Sequence, residues 1–89
     1  MKQCELYNKN CLEVMTTEIS DNYIDMVFCD LPYGTTQNSW DTIIPFDELW
    51  ENYNRIVKDN GAIVLTSQQP FTSKLIMSNL SDFRYEWIW

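Results

Sequence analysis

The feature that most constrains this chain is an amphipathic helix written between two apolar strands. Phe46, Leu49, Trp50, Tyr53, Ile56 and Val57 recur at i, i+3, i+4, i+7, i+10 and i+11. That is one apolar stripe at helical period, and it predicts a helix over 46 to 58. Pro45 stands where a helix start tolerates it, and Asp47 and Glu48 suit the positive end of the first turn. "DNG" at 59 to 61 predicts the helix end, with Gly61 as a left-handed cap. Before the helix, "YIDMVFCD" at 23 to 30 is apolar from Ile24 to Cys29 except for Asp25. After it, "AIVLTS" at 62 to 67 is apolar and rich in β-branched residues. Strands alternating with helices imply a parallel sheet with helices on its faces.

The rest of the chain extends the alternation. "CELYN" at 4 to 8 reads as a short strand, and Leu12, Met15, Thr16 and Ile19 give helical spacing over 11 to 19. "SDNY" makes a turn. "QQP" opens a third helix at about 70 to 80, and "RYEWIW" begins a further strand. The expected order is β-α-β-α-β-α-β, one α/β domain over residues 1 to 89. Ligands of such sheets bind beyond the carboxyl ends of the strands. Asp30 and Ser67 lie at those ends.

Composition narrows the function. A 45% apolar, 15% aromatic chain points to a packed core. At 89 residues that core is small. A net charge of −7 with six Lys and Arg gives this chain alone little hold on phosphates. Three cysteines in no zinc spacing, with no histidine, predict reduced thiols, a cytoplasmic protein and no metal. No apolar run approaches the roughly 20 residues that span a bilayer, so no membrane is expected. The sequence closes on the apolar "YEWIW", with Trp87 and Trp89, which predicts an interrupted strand and a chain that is part of something larger.

The apolar strand runs into Asp30, Leu31, Pro32 and Tyr33. Asp30 offers a carboxylate acceptor. Pro32 fixes its own backbone and drives Leu31 towards an extended conformation, which sets the angle of the Leu31 carbonyl. Two acceptors side by side suit an amino group with two N–H bonds. Tyr33 offers a flat face to a nucleobase, a contact worth roughly 1–3 kcal/mol. Taken alone, the same four residues also suit a plain strand-to-loop turn.

"DLPY" resembles the catalytic "[DNS]PP[YFW]" motif of amino-group DNA methyltransferases, the N6-adenine and N4-cytosine enzymes. The longer "FCDLPYGTTQNSWD" is similar to the phage- and prophage-type members. "LYNKNCLEVM" before it and "GAIVLTSQQPFTSKLIMSNL" after it resemble them too, so the likeness runs over essentially the whole chain. It implies a partial Rossmann-like fold, with the sheet order 3-2-1-4-5-7-6 incomplete. Residues 23 to 30 would be its fourth strand, "AIVLTS" its fifth and "CELYN" its third. It implies S-adenosylmethionine as methyl donor and double-stranded DNA as partner, bound through a full-length protein. Asp30 and the Leu31 carbonyl would accept from the amine of a flipped base, and Tyr33 would stack on that base. Leu31 replaces the usual proline, but a carbonyl survives a side-chain change. Asp30 and Asn10 would lie at the cofactor. Relatives often carry aspartate at the position of Asn10, and an amide lacks that charge; as a turn residue Asn10 would have a purely structural role. Adenine N6 ranks before cytosine N4. Methylation at cytosine C5 would call for Pro-Cys, which does not occur.

The "FxGxG" cofactor loop and the target-recognition region of that family are expected beyond Trp89, and the isolated chain is expected to be inactive and open to self-association. Trp50 and Tyr53 read as core. Trp40 and Asp41 either shape the loop over the site or pack and cap. Ser67 and Gln68 either line the pocket or cap the next helix, capping ranking first. Cys4 and Cys11 read as bystanders. The competing readings are an inactive remnant, an acidic interaction or DNA-mimic module, and a methyltransferase of RNA or protein amides.

Overall fold

The computed structural model describes residues 4–34 and 42–86. The elements run α1 (Cys11–Thr17), β1 (Ile24–Asp30), α2 (Phe46–Ile56), β2 (Val57–Thr66), α3 (Phe71–Ser78) and a 3-10 turn (Leu80–Asp82). β1 and β2 pair in parallel, giving a small α/β domain with a two-stranded sheet and flanking helices.

Each junction has a local cause. Asn10 starts α1, because its Oδ1 accepts the Leu12 N–H at 2.9 Å. The chain turns at Asn22, φ +52°, a left-handed conformation that asparagine tolerates. The N–H groups of Asn22 and Tyr23 then donate to the carbonyls of Arg55 and Ile56, each at 2.8 Å. The entry to β1 is thereby tied to the end of α2. Arg55 ties the same corner from its side chain. Its guanidinium donates to the Ile19 carbonyl at 3.0 Å, the Asp21 carboxylate at 2.8 Å and the Met15 carbonyl. A cation suits the carbonyl end of α1.

The stripe of α2 faces the core. Leu49, Tyr53 and Ile56 are buried with Met15 of α1, Phe71 and Leu75 of α3, and Leu31. Trp50 is half-buried, and its Nε1 donates to Ser78 Oγ at 2.8 Å, joining α2 to α3. Val27 and Cys29 of β1 pack on this core. Met26 and Phe28 point the other way and remain 53% and 69% exposed, opposite Ala62 and Val64 of β2. Strands apolar on both faces are usually covered on both; here the described helices cover one.

The structure departs from the expected order at both ends and at Gly61. Residues 4 to 8 form no strand. All are exposed, Leu6 by 96%, so no buried apolar face among them offsets the entropy of fixing a strand. Residues 84 to 86 are not in a strand either, and the remainder of "RYEWIW" lies outside the described residues. The helix ends at Ile56, and β2 starts at once with Val57 extended at ψ 134°. Gly61 therefore lies inside β2, with no positive φ, and caps no helix. Its place is a register irregularity, where pairing jumps from Ile24–Val57 to Met26–Ala62. A Cβ there would sit 2.5 Å from Val57 Cγ1 and 2.9 Å from the Asp25 carbonyl oxygen. The glycine is needed for close approach of two backbones.

Candidate active site

Parallel pairing brings Asp30 opposite Thr66 at the carboxyl ends of β1 and β2. Thr66 Oγ1 donates to Asp30 Oδ1 at 2.5 Å. The Tyr33 hydroxyl lies 2.8 Å from Thr66 Oγ1 and 3.1 Å from Asp30 Oδ1. Both contacts to Asp30 fall on Oδ1, and the residue is exposed.

The loop after β1 is anchored from beneath. Leu31 is only 4% exposed and joins the core, which gives a physical role to the leucine at this position. Pro32 and Tyr33 are half-buried above it. The Tyr33 ring lies 5.2 Å from Phe71, tilted by 35°, and Phe71 in turn lies 5.8 Å from Phe46. Gly34 turns the chain at φ +72°, and a Cβ there would come within 2.8 Å of Ile43 Cγ1. Asp30, Leu31, Pro32 and Tyr33 thus form one constellation, held by the core at Leu31 and Phe71 and by Thr66 at the sheet.

Asn10 stands apart from that constellation. It lines a cleft of about 330 Å³ with Cys11, Leu12, Pro32 and the stretch from Thr42 to Pro45. Pro32 is the motif residue that reaches this cleft; Asp30 and Tyr33 do not line it. The side-chain oxygen of Asn10 is already used as the cap of α1. Burial pushes the neighbouring Cys11 thiol above its ordinary pKa, so it stays protonated at neutral pH. Burial likewise raises Tyr53, with a further contribution from Cys29 beside it.

The N-cap of α3 is Pro70, so neither Ser67 nor Gln68 caps it through a side chain; Thr72 donates through its hydroxyl to Ser67 Oγ at 2.9 Å and through its N–H to the Gln68 carbonyl at 3.1 Å. Gln69, just before that N-cap, accepts at Oε1 from the Ser73 N–H of the first turn at 3.2 Å. The residue that sequence reasoning missed is Thr66, one place before Ser67. Its signal was its position at a strand end, but which residue there faces Asp30 depends on the register. Trp40 and Asp41 lie outside the described residues. Among the described residues no cluster of His, Cys, Asp and Glu is placed to hold a metal, and no helix is long and apolar enough to cross a membrane.

No protein-family model, curated protein or solved structure matches the chain.

Proposed function

We propose that this chain is the catalytic-motif part of an S-adenosylmethionine-dependent DNA methyltransferase, acting on an exocyclic amine of a flipped base, adenine N6 before cytosine N4. The cofactor loop and target-recognition region of such an enzyme would lie outside residues 1–89. The observation that carries this reading is the constellation at the end of β1: an exposed Asp30 carboxylate, a backbone held by buried Leu31, and a Tyr33 ring held at its hydroxyl by Thr66 and packed against Phe71. The parallel pairing of β1 with β2 supports it too, since these would be neighbouring strands four and five of a Rossmann-like sheet.

The chemistry asked of these residues is orientation and charge stabilisation. Asp30 and the Leu31 carbonyl accept the two N–H bonds of the amine, which favours a localised nitrogen lone pair. Tyr33 stacks on the base and holds it in one plane. Holding the amine in line lowers the entropic part of the barrier. Asp30 would then stabilise the positive charge that grows on nitrogen as an N–C bond replaces the donor's S–C bond, and the surplus proton would pass from that nitrogen to solvent. The donor, when bound, supplies an electrophilic sulfonium methyl. The cleft beside Pro32 fits part of it: Leu12, Ile43 and Ile44 offer apolar walls to a flat ring, and Asn10 keeps its amide N–H groups. Among the described residues no carboxylate lines that cleft to take ribose hydroxyls, and further donor contacts would come from residues beyond those named.

The test is transfer of a labelled methyl group to unmethylated DNA by the full-length protein. Wild type is expected to transfer, and Asp30→Ala to lose transfer while keeping its fold. Wild-type transfer by Asp30→Ala would remove Asp30 from the mechanism.

A further inference from the structure

We infer that Thr66 is a positioning residue, one that fixes the Asp30 carboxylate and the Tyr33 ring relative to each other; its catalytic meaning rests on the methyltransferase reading above. Thr66 belongs to β2, outside the motif. It stands directly opposite Asp30 in the parallel register. A hydroxyl has one proton to donate and lone pairs to accept with, whereas an ionised carboxylate only accepts. The direction of the chain follows from that. Thr66 donates to Asp30 Oδ1 at 2.5 Å, the length of a charge-assisted O–H···O bond. Tyr33 donates to Thr66 Oγ1, its nearer partner at 2.8 Å. Oδ1 is thereby engaged, and Oδ2 is the acceptor left for a substrate N–H.

The arrangement couples two parts of the site that the sequence presents as separate. Asp30 holds the amine, Tyr33 holds the ring, and one threonine hydroxyl joins them. Without it the carboxylate regains its side-chain rotamers, and the tyrosine hydroxyl loses its nearer partner. Valine keeps the shape of threonine and removes the hydroxyl; serine keeps the hydroxyl and removes the methyl.

Two measurements test this. The first is steady-state methyl transfer by the full-length protein. Thr66→Val is expected to lower kcat by roughly ten- to hundredfold, as loss of a hydrogen bond to a charged group would, with KM for DNA nearly unchanged. Thr66→Ser is expected to restore most of kcat. The second needs no activity: three-bond couplings to the Asp30 carboxyl carbon, read by NMR on this chain. A single χ1 rotamer is expected in wild type and Thr66→Ser, and averaged couplings in Thr66→Val. If Thr66→Val does not fold, Thr66→Ala is read in its place. A Thr66→Val protein with wild-type kcat, a loss confined to KM, or an Asp30 rotamer that stays fixed without the hydroxyl would each overturn the assignment. Absence of transfer by wild type would instead defeat the methyltransferase reading, and the couplings would still decide the role of Thr66.

Discussion

Gly61 separates two accounts of the α2–β2 junction. As a left-handed helix cap it would tolerate asparagine better than alanine, because asparagine visits that conformation at lower cost. As a point of close approach it would reject both, because both carry a Cβ. The structure supports the second account. A Cβ at Gly61 would lie 2.5 Å from Val57 Cγ1, 2.9 Å from the Asp25 carbonyl oxygen and 3.0 Å from that of Lys58. Two of these three atoms are backbone and cannot rotate away. Overpacking of this kind costs about 1–3 kcal/mol. Reduced freedom of the unfolded chain returns only about 0.4–1 kcal/mol. With the middle of each range the net loss for Gly61→Ala is about 1 kcal/mol, and Gly61→Asn loses at least as much. A domain of this size has roughly 4–13 kcal/mol in total. Urea denaturation followed by circular dichroism reads the change. With a slope near 1 kcal/mol per molar, the midpoint is expected to fall by about 1 M for Gly61→Ala and at least as far for Gly61→Asn. An asparagine variant clearly more stable than the alanine variant, or an alanine variant as stable as wild type, would refute the reasoning.

Two further outcomes follow from burial. Tyr53 has a pKa raised above 10.0, first by burial and then by Cys29, so its neutral form is favoured in the folded state. Its contribution is complete below pH 10 and is lost as pH rises above it, so Tyr53→Phe is expected to flatten the alkaline fall in stability; an unchanged alkaline slope would contradict this. Leu31→Ala removes a side chain only 4% exposed and is expected to cost about 2–4 kcal/mol in a denaturant titration, whereas a loss under about 0.5 kcal/mol would mean the leucine is not an anchor.

What the sequence made legible was whatever depends on periodicity. The stripe from Phe46 to Val57 and the apolar run from Ile24 to Cys29 each carry their own signal: the second stands in β1, and the first gives a helix that ends at Ile56, two residues short of 58, because Val57 is already extended in β2. The end of β1 was legible because Pro32 punctuates it. The beginning of β2 was not. "KDNG" is polar and reads as a turn, yet it enters the strand because Gly61 permits an irregular pairing with β1. "CELYN" failed for the opposite reason: five residues with strand-like character say nothing about whether an edge and a buried face await them. Within the site, Asp30 and Tyr33 were readable from the motif. Thr66 was not, because a shift of one residue in the pairing would have placed a different side chain beside Asp30.

The most direct measurement of the central claim is the identity of the product. Duplex DNA incubated with the full-length protein and S-adenosylmethionine is digested to nucleosides and analysed by mass spectrometry. The account predicts a methyl group on an exocyclic amine, N6-methyladenine before N4-methylcytosine, and none with the Asp30→Ala protein. A methyl group at cytosine C5, or DNA left unmodified by a folded wild-type protein, would contradict it.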